Sequence, residues 1–207
     1  MLNLKRLVLG ELQTNCYILY DGITNEACVI DPACRGNTIL DEITKNKLLL
    51  KYIIITHAHA DHIGALDFLK QSTNAMVCIG AADFEALNST KENLCFYFRQ
   101  NAPQTKADMP IKENDELYLG TEKLVFIETP GHTKGGICVC FDGGLISGDT
   151  LFFESIGRWD FPGGDYNILN SSIKNKLFLL PDETKVYPGH GDSTTIGHEK
   201  KNNPLVI

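Results

Sequence analysis

The sequence KYIIITHAHADHIG, residues 51–64, joins an apolar run to a dense group of polar side chains. The apolar run, residues 52–55, is rich in β-branched side chains, which predicts a strand buried on both faces. Side chains alternate along an extended chain, so His57 and His59 are predicted to project to the same side. Asp61 is predicted to cap a helix that opens at His62 and directs its positive dipole end at the same point.

The distribution of the six histidines indicates a metal site rather than a histidine-rich surface turn. Five of them occur in glycine-flanked or strand-end turns, and Asp149 in LISGDTLF also follows an apolar strand. Neutral imidazoles and carboxylates suit zinc, iron or manganese. The predicted ligands are His57, His59, Asp61, His62, His132, Asp149 and His190.

The motifs THAHADH, GHT, GDTLF and PGHG, in that order, resemble the metallo-β-lactamase fold superfamily from near residue 15 to the C-terminus. Within it, NCYILYD, VIDPA and GRWDFPGGD resemble the small bacterial hydrolases grouped with hydroxyacylglutathione hydrolase, or glyoxalase II. The resemblance implies an α/β fold, a four-layer αββα sandwich that forms one domain over residues 1–207.

The resemblance also implies how the ligands are divided between two divalent ions per chain. Zinc is the expected metal, with iron and manganese as alternatives. A hydroxide between the ions would attack a thioester such as an S-(hydroxyacyl)glutathione, and Asp61 is expected to act in catalysis as well as in metal binding. The implied sets are His57, His59 and His132 on one ion, Asp61, His62 and His190 on the other, and Asp149 as the bridge.

The substrate prediction rests on Arg158, at the position where glyoxalase II proteins place a basic residue that helps to bind a glutathione carboxylate. A guanidinium can hold a carboxylate bidentately. Two departures oppose this role: Asp160 stands where the family has a tyrosine, and the chain ends before the helical C-terminal domain that completes the family's glutathione site. An internal ion pair between Arg158 and Asp160 is therefore the alternative.

Two other functions compete with the thioester hydrolase. A mononuclear non-haem iron persulfide dioxygenase would hold iron with His57, His132 and Asp149 and leave positions open for oxygen. A metal-binding module without catalysis is disfavoured, because every ligand position is intact.

Composition limits the partners and the compartment. At 207 residues and 43% hydrophobic content, the chain can bury a full core as one domain. A net charge of -7 argues against a nucleic-acid partner, and the charged N-terminus argues against a signal peptide or a membrane span. Seven cysteines without a CxxC pair favour a reducing cytoplasm. We expect a monomer or homodimer that acts on a small-molecule thioester.

Hydrophobic periodicity predicts the remaining elements. Helices are predicted after an Asn37 cap, over residues 81–87, and from an Asp165 cap to Pro181. Residues 88–114 lack periodicity, and their aromatic residues 96–98 are interpreted as a core cap or subunit contact, with a lid as the alternative. Asp31 is predicted in a turn or in contact with the ligands, Cys138 and Cys140 in the core, and His198 on the surface. Strands are predicted at 2–9 (an edge strand), 16–20, 27–30, 75–79, 117–119, 123–128, 137–141, 145–147 and 186–187.

Overall fold

The apolar runs of the sequence form two sheets of six strands each in the computed structural model, which describes residues 1–206. In the first sheet β1, β2 and β3 are antiparallel, and β3 to β6 are parallel. Its strands, in spatial order, are β1 (Leu2–Leu9), β2 (Thr14–Asp21), β3 (Glu26–Ile30), β4 (Leu49–Ile55), β5 (Met76–Gly80) and β6 (Met109–Ile111).

The second sheet is antiparallel except for the pairing of β10 with β13. A separate hairpin consists of β11 (Leu151–Phe152) and β12 (Ser155–Ile156). The strands of the second sheet, in spatial order, are β14 (Thr194–Thr195), β13 (Lys185–Pro188), β10 (Gly144–Gly148), β9 (Ile137–Phe141), β8 (Glu122–Glu128) and β7 (Glu116–Leu119).

Helices cover the outer face of each sheet. They are α1 (Gly36–Lys45), α2 (Ala60–Ile63), α3 (Leu66–Thr73), α4 (Tyr166–Asn175) and α5 (Ile196–Asn202). Within residues 1–206 none of these helices combines the length and apolar character that a membrane crossing needs.

Three apolar clusters lie between the layers and fix their order. Ile53 and Ile54, which are neighbours in β4, show the arrangement. Both side chains are fully buried, and they lie on opposite faces of the sheet. Ile53 packs with Leu66 of α3 in the outer cluster, whereas Ile54 packs with Phe126 between the sheets. A third cluster places Leu169 of α4 on the second sheet. The order helix, sheet, sheet, helix confirms the predicted αββα sandwich.

Most predicted strands and helices are present, with somewhat different ends. The N-terminal strand lies at a sheet edge, as predicted. Asp165 caps α4, its side chain accepting a hydrogen bond from the amide of Ile168 at 3.0 Å. Cys138 is fully buried and Cys140 packs against the same cluster, which confirms their core position. His198 lies in α5, away from the other histidines, and contacts Glu154 at the surface.

Several predicted helix ends are wrong. Arg35, not Asn37, is the N-cap of α1, and α4 ends before Pro181, with Lys176 as its C-cap. Residues 81–87 form two short 3-10 turns rather than one helix. Strand β6 inside the aperiodic segment, the hairpin β11–β12, and the final elements β14 and α5 were not predicted. The four strands among them have only two or three residues each, too few to produce a periodic pattern.

The predicted helix cap at Asp61 is also wrong. His59 is the N-cap of α2, Asp61 lies inside that helix, and α3 starts only at Leu66. The Asp61 carboxylate instead accepts a hydrogen bond from Thr14 Oγ1 at 2.9 Å and lies 3.2 Å from His190 Nε2. The side chain is therefore turned toward a polar cluster rather than toward the helix amides.

Candidate metal centre

The carboxyl ends of four strands deliver the predicted ligands to one edge of the sandwich. His57 and His59 follow β4, and the short helix α2 adds Asp61 and His62 from the same connection. His132 follows β8, Asp149 comes directly after β10, and His190 lies two residues beyond β13. The structure thus brings together all seven side chains predicted from the sequence.

Their donor atoms form three overlapping groups, each with its atoms within 4.8 Å of one another: His57, His59 and His132; His57, His62 and Asp149; Asp61, His62 and His190. Asp149 lies between the two outer groups, because its Oδ2 is 3.6 Å from Nε2 of both His132 and His190. Its Oδ1 is 3.4 Å from His62 Nε2. The arrangement has the form of two adjacent cation sites with one shared carboxylate.

Three of these donor atoms fit a bound cation because the protein leaves them without a hydrogen bond. His59 Nε2, His62 Nε2 and Asp149 Oδ1 are buried and have no hydrogen-bond partner among the described residues. A buried polar atom without a partner costs about 1–3 kcal/mol. Imidazole nitrogen and carboxylate oxygen are ligands for zinc and other divalent transition metals. A pair of divalent ions therefore suits both the chemistry and the positions of the donors.

The opposite ring nitrogens of four histidines are held by neighbouring oxygen atoms. Such contacts fix the ring orientation and direct Nε2 toward a metal. The Nδ1 partners are Thr56 Oγ1 for His57 (3.1 Å), Asp31 Oδ2 for His62 (2.9 Å), the Arg158 carbonyl for His132 (2.6 Å) and the Leu12 carbonyl for His190 (3.0 Å).

Two buried carboxylates support the metal ligands, and only one of them was predicted from the sequence. Asp31 contacts both His62 and Thr56, which confirms its predicted place beside the ligands. Asp83 was missed, although it is buried and ties two ligand-bearing loops together. Its carboxylate accepts hydrogen bonds from the amides of Ala58 (3.2 Å) and Gly135 (2.7 Å) and from Thr133 Oγ1 (2.7 Å). No motif surrounds Asp83, so only the fold reveals its position.

Burial and mutual charge set the protonation of the cluster. Burial, with the nearby His132, lowers the pKa of His59 to about 3, and burial with His62 lowers the pKa of His57 well below its usual range. Burial alone would raise the pKa of Asp61, but His62 and His190 outweigh it and lower that pKa. These imidazoles are neutral and this carboxylate is ionised at neutral pH, the forms that bind metal.

Arg158 is paired within its own loop. Its Nε and Nη2 donate to the two carboxylate oxygens of Asp160 at 2.9 and 2.7 Å, and the guanidinium lies 4.1 Å from the centre of the Phe161 ring. The structure therefore contains the internal ion pair considered from the sequence. The role of Arg158 in binding a substrate carboxylate stays a prediction.

Residues 96–101 are exposed and lie beside the cluster. Phe96 and Tyr97 are 64% and 67% exposed, so the interpretation of these aromatic residues as a core cap is wrong. Phe98 and the three residues after it line a cleft of about 670 Å³ that is also lined by Asp61 and Thr14. This cleft offers a small molecule a route to the Asp61 side of the cluster.

Comparisons with known proteins agree with this geometry. Residues 9–190 match the family model of the metallo-beta-lactamase superfamily. The hydroxyacylglutathione hydrolase GloC of Haemophilus influenzae is 34% identical over 99% of this chain and 98% of its own. The solved BLEG-1 B3 metallo-beta-lactamase superposes with a TM-score of 0.93 at 34% identity, over 99% of this chain and 100% of its own.

Two further solved structures are similar over nearly the whole chain. TTHA1623, solved in a di-iron-bound form, has a TM-score of 0.86 at 31% identity and is matched over 97% of this chain and 99% of its own. ETHE1 from Myxococcus xanthus has a TM-score of 0.84 at 30% identity over 99% of this chain and 84% of its own. The fold, the ordered motifs and these matches lead to one conclusion: the chain belongs to the metallo-beta-lactamase superfamily.

Proposed function

We propose that this protein is a dinuclear metal-dependent hydrolase that cleaves thioesters such as S-(hydroxyacyl)glutathione. The observation that carries the proposal is the pair of adjacent donor groups that share Asp149. The similarity to GloC supports the thioester, since GloC is a hydroxyacylglutathione hydrolase and is matched over 98% of its own length. Hydrolysis of a hydroxyacylglutathione is thus the activity named for a relative that aligns with this chain over nearly its whole length.

In this proposal one ion would be held by His57, His59 and His132 and the other by Asp61, His62 and His190, and Asp149 would be shared between them. Bound divalent ions lower the pKa of bound water toward neutrality and polarise a substrate carbonyl. Zinc is the proposed metal, and the di-iron form of TTHA1623 keeps iron as an alternative.

The Asp61 side chain then orients the attacking water. Hydrolysis forms a bond between a water oxygen and the acyl carbon, breaks the carbon–sulphur bond, and leaves a carboxylate and a thiol. Asp61 is held by Thr14 and His190 through its Oδ2 atom. Because its pKa is lowered, Asp61 is ionised at neutral pH, and its carboxylate can accept a hydrogen bond from the attacking water and orient it, while the proton released by that water finally reaches the departing sulphur.

The test combines metal analysis with activity. Protein purified without added metal should contain close to two divalent ions per chain and should hydrolyse S-lactoylglutathione faster than a β-lactam. His57→Ala and His190→Ala should remove most of this activity, whereas the matched control His198→Ala, outside the cluster, should retain it. Full thioesterase activity in either ligand variant would contradict the proposal.

A persulfide dioxygenase is the second candidate, favoured by the likeness to ETHE1 and by the geometry of three donors. His57 Nε2 lies 3.2 Å from His132 Nε2, which is 3.6 Å from Asp149 Oδ2, and these side chains supply the two histidines and one carboxylate of a non-haem iron site. One iron per chain, with oxygen consumption on glutathione persulfide and no thioester cleavage, would favour this candidate over the hydrolase.

The lack of nucleic-acid and membrane partners, the cytoplasmic location and the oligomeric state stay predictions.

A further inference from the structure

The cleft that leads to Asp61 has two walls from distant parts of the chain. The turn between β1 and β2, residues 9–12, forms one wall, and residues 98–101 form the other, with Cys34 and Asp61 among the residues between them. Its volume of about 670 Å³ is within the range of ~300–1,000 Å³ typical of small-molecule sites. We refer to it as the Arg99 cleft.

Each wall of the Arg99 cleft carries one charged side chain. Glu11 lies on the first wall and Arg99 on the second, and both are exposed. Neither has an ion-pair or hydrogen-bond partner for its side chain within the part of the chain that the structure describes. Arg158, by contrast, is neutralised by Asp160. Arg99 is thus a cation beside the cluster that is free to meet a ligand.

The wall that carries Arg99 is anchored to the core. Leu94 and Cys95 are buried, and the Asn93 amide group bonds the Leu87 carbonyl at 2.9 Å. The amide of Gln100 returns to the Cys95 carbonyl at 2.9 Å, which closes a turn around the exposed residues. The guanidinium of Arg99 therefore extends from a fixed loop, which reduces the entropy lost when a ligand binds.

We infer that the Arg99 cleft binds the thiol half of the substrate, and that this half carries a carboxylate for Arg99 and an ammonium group for Glu11. This inference rests on the proposed thioester hydrolase. A guanidinium binds carboxylates bidentately, and a nearby carboxylate selects an ammonium group over a neutral one. The ligand is therefore a thiol with an amino-acid head group, such as the γ-glutamyl end of glutathione, rather than a simple alkyl thiol.

The inference is tested with S-methylglutathione, a thioether that the protein cannot hydrolyse, titrated calorimetrically into the metal-loaded protein. Arg99→Gln should weaken its binding about tenfold or more, since a charge-assisted bond is lost, and Arg99→Lys should restore part of it. Glu11→Gln should also weaken it. The matched control Lys91→Gln removes a charge from the same segment outside the cleft and should leave the dissociation constant unchanged.

Modified ligands assign each contact to its group. The dimethyl ester of S-methylglutathione should lose its sensitivity to Arg99→Gln, and the N-acetyl derivative should lose its sensitivity to Glu11→Gln. Absence of S-methylglutathione binding to the unaltered protein, or equal affinities for the unaltered protein and Arg99→Gln, would overturn the inference.

The design also separates this inference from the proposed function. If S-lactoylglutathione is not hydrolysed but S-methylglutathione binds in an Arg99-dependent manner, the hydrolase proposal fails and the ligand site stands. If an N-acetylcysteamine thioester, which lacks both charged groups, is hydrolysed as efficiently as S-lactoylglutathione, the hydrolase stands and the inference fails.

Discussion

Replacing Asp31 by Asn changes one buried atom behind the metal centre while keeping the shape of the side chain. Asp31 Oδ1 accepts the Thr56 amide at 2.7 Å, and Oδ2 accepts Thr56 Oγ1 at 2.7 Å and contacts His62 Nδ1 at 2.9 Å. The residue is 1% exposed and has a φ of 53°, a conformation that Asn also tolerates. The backbone is therefore expected to be preserved.

An amide cannot reproduce these contacts, because it has one acceptor oxygen and one NH₂ group. If the oxygen faces the Thr56 amide, the NH₂ group donates to His62 Nδ1 and drives the imidazole proton onto Nε2. That atom faces Asp61 and Asp149 at 3.4 Å, where the metal would bind. If the amide flips, its NH₂ group opposes the backbone N–H of Thr56.

Both orientations weaken metal binding, the first by blocking a ligand and the second by disturbing its support. Loss of such a supporting contact typically lowers metal affinity about 10- to 100-fold, which corresponds to roughly 1.4–2.7 kcal/mol. The unsatisfied buried group also costs about 1–3 kcal/mol in the free energy of unfolding of the metal-free protein.

Competition with a chromophoric chelator measures the first effect, and thermal unfolding of the metal-free protein measures the second. Asp21→Asn is the matched control, since Asp21 is 2% exposed and accepts the amides of Ile23 and Thr24 at the end of β2. The control should lose stability but keep its metal affinity. Equal metal affinities for Asp31→Asn and the unaltered protein would refute the proposed control of the His62 tautomer.

Three other changes have defined outcomes. Asp149→Ala should lower the occupancy of both ions, because this carboxylate is shared, and elemental analysis that shows one site still full would contradict the bridge. Gly189→Ala should also reduce metal content, because its Cβ would collide with Asp149 Oδ1 and lie 2.8 Å from His62 Cε1; full occupancy would show that the loop can move aside. Arg158→Ala should raise the KM for S-lactoylglutathione roughly ten- to a hundredfold, with little change in kcat, if Arg158 leaves Asp160 to bind substrate. Equal losses on a thioester without carboxylates, together with a lower melting temperature, would assign Arg158 to the loop pair instead.

The ligands could be predicted because each one is encoded within a few residues. A buried apolar run that stops abruptly at Thr56, just before His57, indicates a strand end, and the same local signal precedes Asp149. In the second sheet, β8, β10 and β13 run in the same direction, so their carboxyl ends lie at one edge and a list of strand ends approximates the site. The αββα layers follow from the same apolar runs.

The Asp61 side chain shows where local sequence rules are not sufficient, because tertiary contacts compete with the helix cap for its carboxylate. An aspartate just before a helical pattern favours an N-cap. Here Thr14 and His190, which are distant in sequence, both contact the carboxylate, and the chain begins α2 one residue before Asp61. A contact with two polar partners in a buried cluster outweighs a cap worth about 1 kcal/mol.

Asp83 was not predictable for a related reason. Its partners Ala58, Thr133 and Gly135 are 25, 50 and 52 residues away in sequence, and the surrounding AADF carries no turn or motif signal. Only the packing of the β5 end against the His132 loop creates its position. A buried carboxylate of this kind supports ligands without resembling one.

The division between local and distant contacts also explains why the metal centre was easier to predict than the substrate. Arg158 and Asp160 are two residues apart, so their pairing could be weighed from the sequence. Glu11 and Arg99 lie on separate loops, and only the folded sandwich places both on one cleft. Since members of one fold superfamily perform different reactions, the strand ends specify the metal chemistry, and the loops around it must select the substrate. For that reason the charges of the Arg99 cleft carry more information on the substrate than the ligands of the cluster itself.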